Sequence, residues 1–342
     1  MNVVSTTPTM AFYHIPVKIS RGTEVKNLSK LKLINMQDIE VEDIEWLIYP
    51  FIPYGKITII QGDPGEGKTT LVLQIIARLT KGEAIINEKA KQPINVIYQT
   101  AEDGLGDTIK PRLLSADADC SKVLVIDDKD TPLTMRDVRL EQAIVETKAK
   151  LVVLDPIQGF LGADVDMHRA NKIRPVMKHI AELADKYKCA IILIGHMNKC
   201  SMGKSTYRGL GSIDFQAAAR SVLIVGRIKD EPEIRVVCQT KSSLAPEAKS
   251  IAFRLSKENG FEWIGEYDVT ADDLLSGTAK GTKKQAAIDF LEEFVLNGAK
   301  PQTEIMKLAK EKGFSEKTVR NAKDELKIKS MRKNNQWYLS LN

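Results

Sequence analysis

Gly62-Asp63-Pro64-Gly65-Glu66-Gly67-Lys68-Thr69, followed by Thr70, reads G-x-x-x-x-G-K-T without a departure. Before it, Lys56-Ile57-Thr58-Ile59-Ile60 has the pattern of a buried strand; after it, Leu71-Val72-Leu73-Gln74-Ile75-Ile76-Ala77 is apolar and suits a helix. Strand, glycine-rich turn and helix in that order make a phosphate cradle. The glycines let backbone N–H groups wrap an anion, and the helix N-terminus adds positive potential. In such a cradle Lys68 reaches the β- and γ-phosphates and the Thr69 hydroxyl ligates Mg²⁺. Residues 62–70 are thus the expected segment for ATP and Mg²⁺.

Working outward, strand-like apolar runs at 94–99, 123–126, 151–154, 190–195, 222–225 and 234–239 alternate with helical patterns. Runs that are apolar at every position, rather than alternately, mark strands covered on both faces. That predicts an α/β core with a mainly parallel sheet between helices. Residues 268–284 are rich in Asp, Ser, Gly, Thr and Lys and read as a linker. The expected division is a segment 1–45 with no clear pattern, a core 46–266, a linker 267–282 and a C-terminal domain 283–342.

A chain of 342 residues with 43% hydrophobic content can bury the core of two domains. No apolar run approaches the ~18 residues of a membrane span, and Met1-Asn2-Val3-Val4-Ser5 lacks the opening of a signal peptide. Cys120, Cys189, Cys200 and Cys238 form no CxxC pair, and the four histidines lack zinc-ligand spacing. A cytoplasmic, reduced protein without membrane contact is the expectation.

The net charge of +5 is unevenly placed. Residues 280–342 hold 14 Lys and Arg against 8 Asp and Glu, so the other 279 residues carry −1. A basic tail points to a polyanionic partner. Within it, Ala287, Phe290, Leu291, Phe294 and Val295 form a helical stripe, and 303–312 a second helix stopping at Gly313. Ser315 caps a third helix with Val319, Ala322 and Leu326 inward and Lys317, Arg320, Asn321 and Lys323 outward or flanking. Residues 328–333 and 336–339 flank an Asn334-Asn335 hairpin turn. Three helices and a hairpin make a winged-helix arrangement, whose third helix can enter a DNA major groove; a module for protein contacts is the alternative.

Hydrolysis needs a metal-positioning acid and a base for water. Leu151-Val152-Val153-Leu154 ends in Asp155, where a carboxylate holds the Mg²⁺ shell, unless it only caps the turn before Pro156. Glu102, preferred to Asp103 because it is longer and comes first after its strand, reaches an in-line water if that strand adjoins the P-loop strand. His196 ends another strand and can report phosphate loss to the loop 198–212, whose Lys199, Lys204, Tyr207 and Arg208 suit single-stranded DNA. Residues 156–174, with Arg169, Lys172 and Arg174, form a second candidate loop.

Together with Trp46-Leu47, Ala101-Glu102-Asp103, Leu151 to Pro156, Gly195-His196-Met197-Asn198-Lys199, Gly211-Ser212 and Ala219-Arg220-Ser221, the P-loop makes residues 45–265 resemble RecA-like P-loop ATPases. Within them the chain is similar to the RepA-like hexameric replicative helicases of plasmids, phages and integrative elements. The resemblance implies a homo-oligomer, a hexameric ring, hydrolysing ATP at subunit interfaces, with single-stranded DNA in the ring and duplex at the C-terminal domain. It also implies a basic side chain acting on the neighbouring copy; Lys241 fits best, then Arg220, with Arg208 a further candidate. Two rival readings are a filament-forming recombination or repair ATPase and a DNA-binding regulator whose assembly ATP switches.

Overall fold

The computed structural model describes residues 32–86, 89–163, 165–197, 213–276, 282–296, 300–312, 314–333 and 336–340. Residues 32–43 belong to a unit separate from 44–342 and hold one 3-10 turn, Met36–Asp38, capped by the Asn35 side chain. The second unit opens with a short antiparallel pair, β1 (Trp46–Ile48) and β2 (Ile52–Pro53).

There follow β3 (Ile57–Gly62), α1 (Lys68–Lys81), β4 (Val96–Thr100), α2 (Lys110–Ser115), β5 (Val123–Leu124) and α3 (Val138–Thr147). Next are β6 (Leu151–Asp155), α4 (Ala170–Tyr187), β7 (Ala190–His196), α5 (Ile213–Ala218) and β8 (Ser221–Arg227). The core closes with β9 (Ile234–Ser242), β10 (Ser250–Ser256), β11 (Gly260–Tyr267) and α6 (Ala271–Ser276).

These strands form one sheet in the order β11-β10-β9-β8-β3-β7-β6-β4-β5. The buried strands send successive side chains to opposite faces. Ile60, Tyr98, Val153 and Ile192 meet α1 through Leu71, Val72, Ile75 and Ile76. Ile57, Ile59, Val152 and Ile191 meet α3 and α4 through Leu140, Ile144, Val176 and Ile180. Helix α1 ends at Gly82 (φ 71°), whose N–H returns to the Arg78 and Leu79 carbonyls as a left-handed cap.

From β5 to β8 every pairing is parallel, but β8 to β11 are antiparallel. The mainly parallel sheet therefore holds for one part of the sheet only. The reason is connection length: a parallel crossover takes a dozen or more residues, and the links between β8, β9, β10 and β11 are far shorter. β10 and β11, the latter with alternating burial, were not among the expected strands. β5 stops two residues before the expected 126, because Ile126 pairs with the Gln99 side chain instead of a strand ladder.

The stretch read as a linker carries α6, whose Leu274 joins a third cluster with Ile224, Val236 and Cys238. Within residues 156–174, Ile157–Phe160 form a 3-10 turn and α4 starts at Ala170.

The C-terminal region contains α7 (Thr282–Leu296), β12 (Lys300–Pro301), α8 (Gln302–Glu311), α9 (Glu316–Glu325), β13 (Lys329–Lys333) and β14 (Gln336–Ser340). Its strands pair antiparallel in the order β12-β14-β13, and Ala287, Phe290, Leu291, Ile305, Val319, Ala322 and Leu339 form its core. Ser315 caps α9 by accepting from the Thr318 N–H at 3.1 Å. Gly313 and the Asn334-Asn335 turn lie outside the described residues. Among the described residues no helix is long and apolar enough to cross a membrane.

Phe253 on β10 is fully buried and stacks on Phe261 with ring centroids 5.0 Å apart. Phe253→Ala is expected to lower unfolding free energy by about 3–5 kcal/mol, measured by denaturant titration.

Candidate active site

The P-loop spans the gap between β3 and α1. Gly65 (φ 78°) and Gly67 (φ 87°) take left-handed backbone, which side chains other than glycine rarely adopt. A Cβ on Gly62 would collide with the Val225 carbonyl of β8, so the strand end packs as backbone against backbone. Gly67 caps α1 without a side-chain acceptor, which leaves the first helical N–H groups facing the loop. Asp63, Pro64 and Gly65 are exposed, Glu66 and Lys68 are buried, and Thr69 and Thr70 are half-buried.

Lys68 Nζ donates to the carbonyls of Gly62 (2.9 Å) and Asp63 (2.8 Å) and lies 3.3 Å from His196 Nδ1. Burial pulls its pKa below the usual lysine value, against the pull of Asp155, Glu66, Asp63 and Glu102. An ammonium desolvated beside backbone carbonyls gains from a polyanion, so the loop and Lys68 fit a polyphosphate.

Asp155 ends β6 and is almost buried. Its Oδ2 accepts from Thr69 Oγ1 at 2.7 Å and from Tyr98 Oη at 2.9 Å. Burial raises its pKa, and the two hydrogen bonds oppose that rise. Burial and the neighbouring carboxylate together push the Tyr98 phenol well above its ordinary value, so it is a fixed donor. Thr69 and Asp155 bring two hard oxygen donors together. Among the described residues no three carboxylates, imidazoles or thiols converge. The pair therefore fits Mg²⁺, which completes its shell with phosphate and water rather than with a protein cage.

The register pairs Gly62 with His196, at the C-terminal edge where ligands of α/β sheets sit. β4, however, does not adjoin β3: β7 and β6 lie between them. The expected adjacency fails, yet the turn after β4 still reaches the site. The Ala101 N–H bonds the Asp155 carbonyl at 3.0 Å, and Glu102 Oε2 lies 3.9 Å from His196 Nε2. Asp103 is tied to Arg112 at 3.2 Å, so of the two acids Glu102 is the one directed to the histidine. Lys68, His196 and Glu102 thus stand in a line across the P-loop mouth.

Arg220 and Lys241 are not part of this cluster. The Arg220 N–H bonds the Ile57 carbonyl, and Lys241 is in register with Val222 at the start of β8. β8 runs parallel to β3 with Ser221 beside Thr58 and Val222 beside Ile59, so along the strands the backbones of Arg220 and Lys241 lie about 16 Å and about 10 Å below the level of Gly62 at ~3.3 Å per residue. Lys241 Nζ caps the end of α5 through the carbonyls of Gln216 (2.7 Å) and Ala217 (3.2 Å), not a bare strand end. Arg220 is exposed.

Of the basic residues assigned to nucleic acid, Lys199, Lys204 and Arg208 lie outside the described residues. Lys317 belongs to α9; Arg320 is exposed on it, and Lys323 is half-buried and donates to Ser330 Oγ at 2.7 Å. Arg174 is committed to the buried Asp214 at 2.6 Å, and Lys172 is helical, so neither belongs to a loop. Tyr98, which donates to Asp155, and Arg227, which donates to Glu66 and the Gly65 carbonyl, touch the site and were not singled out. Tyr98 carried one signal: a lone polar-tipped ring within an apolar strand needs a buried partner.

A P-loop between a parallel strand and a helix, with an acid at the end of a second strand and a histidine at the end of a third, defines a RecA-like P-loop ATPase. A family model described as an AAA domain matches residues 24–202, more than half the chain, and the protein belongs to that AAA-domain family. The chain is similar to Protein RecA of Sinorhizobium medicae, 26% identical over 227 residues (63% of this chain, 60% of the relative). It is likewise similar to Protein RecA of Marinobacter nauticus, 25% identical over 231 residues (63% of each). With the DNA repair protein RadA of Streptococcus pneumoniae it shares 23% identity over 186 residues (54% of this chain, 38% of the relative). It spans at most about three fifths of the length of these curated relatives.

Tyr98→Phe takes a donor from a buried carboxylate. It is expected to destabilise the protein by about 1–3 kcal/mol, read from urea unfolding at neutral pH.

Proposed function

We propose that the chain is an ATP-driven DNA motor that works as a ring of copies, a replicative helicase of the RepA-like kind. The observation that carries the reading is the line Lys68–His196–Glu102 at the mouth of the P-loop. Residues 62–70 hold the triphosphate of ATP, Lys68 its terminal phosphates, and Thr69 and Asp155 the Mg²⁺. When bound, Mg²⁺ neutralises charge developing on the phosphate oxygens. Glu102 takes the proton of the attacking water, whose oxygen bonds to the γ-phosphorus as the bond to the ADP oxygen breaks.

His196 sits between acid and lysine and is followed directly by residues 198–212. Loss of the γ-phosphate changes what Lys68 and His196 face, and that change passes to the basic loop with Lys199, Lys204 and Arg208. Lys241 and Arg220 lie too far from their own P-loop to act there; on a neighbouring copy either completes the site. The C-terminal domain, read as a winged helix, adds Lys317, Arg320 and Lys323 as contacts to duplex. Its exposed strand Lys329–Lys333 carries three more cations, which supports a polyanion partner.

A second reading has support of its own. The relatives named Protein RecA and DNA repair protein RadA favour a recombination or repair ATPase that forms filaments. Particle shape on DNA separates the two: closed rings, or helical filaments.

The test is ATP turnover without DNA, with single strands and with duplex, alongside the mass of the assembly. Lys68→Ala is expected to abolish nucleotide binding. Glu102→Gln should bind ATP but lose DNA-stimulated turnover by at least about 100-fold, the scale of a general base. Undiminished turnover in Glu102→Gln removes it from the mechanism, and full activity of a single copy removes the ring.

A further inference from the structure

The P-loop is gripped from outside its own motif. Glu66, the last variable position before Gly67, keeps its side chain only 12% exposed. Its Oε1 accepts from Arg227 Nε at 2.8 Å, and Arg227 Nη2 donates to the Gly65 carbonyl at 3.2 Å. The second carboxylate oxygen, Oε2, is buried and has no hydrogen bond among the described residues. Arg227 closes β8, the strand beside β3, and stands opposite Arg235 in the β8–β9 register. Burial and Arg227 both lower the pKa of Arg235, whose guanidinium donates to the Pro232 carbonyl, so Arg227 is the guanidinium that touches the loop.

An acid at this position is a liability. The loop's N–H groups and the α1 N-terminus attract anions, and a carboxylate one residue before Gly67 is itself an anion within their reach. Unrestrained, Glu66 would compete with a phosphate for the same donors and repel a polyphosphate. The pair is not explained by stability, since the Arg227 side chain is 43% exposed and half-exposed ion pairs contribute little. Its geometry does explain access: the guanidinium turns Glu66 toward β8 and holds the Gly65 carbonyl at the same time.

We infer that Arg227 is a positioning residue of the nucleotide site: it neutralises Glu66, keeps that carboxylate off the loop's amides, and so sets affinity according to the ligand's negative charge. The inference rests on the reading of this loop as the ATP site. It adds a cation from the antiparallel half of the sheet, outside the G-x-x-x-x-G-K-T string, that acts through a second residue and not on the phosphates.

The test uses the full chain, with equilibrium binding of ATP and of ADP and steady-state turnover. Arg227→Gln is expected to weaken ATP binding about tenfold, the scale of one charge-assisted hydrogen bond, and ADP binding less. The loss appears in Kd and KM far more than in kcat. Adding Glu66→Gln to Arg227→Gln removes the uncompensated charge and restores most of the affinity, and Arg227→Lys, which keeps the charge, loses less than Arg227→Gln. If Arg227→Gln fails to fold, the lysine variant and the double variant decide. Unchanged ATP binding in Arg227→Gln, equal losses for ATP and ADP, or no recovery in the double variant overturns the inference. Absence of nucleotide binding by the unaltered chain overturns the ATP-site reading itself, and this one with it.

Discussion

The site depends on one buried carboxylate. Asp155 Oδ2 is held by Thr69 from the first turn of α1 and by Tyr98 from β4. A charge in that position is unfavourable unless donors surround it, and each donor comes from a different element. The hydrogen bonds therefore fix the P-loop helix, the strand that ends in Asp155 and the strand before Glu102 in one geometry. The packing of Leu71, Val72 and Ile76 on Ile60, Tyr98 and Val153 brings those elements close enough for it.

The sheet then separates two sets of charged groups. Its C-terminal edge gathers the P-loop, Asp155, His196 and Glu102, while Arg220 and Lys241 stand at the other end of β8 and β9. The separation follows from strand direction, since β8 starts where β3 starts and Lys241 comes back to that end along β9. Lys241 is also bound to α5, the helix that follows residues 198–212.

The antiparallel half of the sheet is more than an extension. Leu255 and Phe253 of β10 lie beneath Gly67, where a Cβ would approach Leu255 Cδ1 to 2.7 Å. Arg227 of β8 holds Glu66 from the side. The loop is shaped by its own glycines and also braced by strands far along the chain. The left-handed φ specifies glycine at 67, while the contact in space is with the end of a flexible leucine side chain that can shift.

Much of the architecture was legible in the residues. Unbroken apolar runs marked the two-sided strands, because a strand covered by helices on both faces has no position to give to water. Ser315 announced α9, because a hydroxyl at that spacing satisfies an orphan N–H. The motif string named the phosphate cradle, because glycine freedom and a helix N-terminus are local properties. Strand order was not local: nothing in Tyr98 to Asp103 tells that β7 and β6 intervene before β3, and only the packed sheet decided it. The same holds for Tyr98 and Asp155, 57 positions apart, and for Arg227 and Glu66, 161 apart. A side chain's partner across such distances is set by which strands the whole core pairs, so the sequence by itself determined the kinds of groups available, and the tertiary structure decided which of them meet.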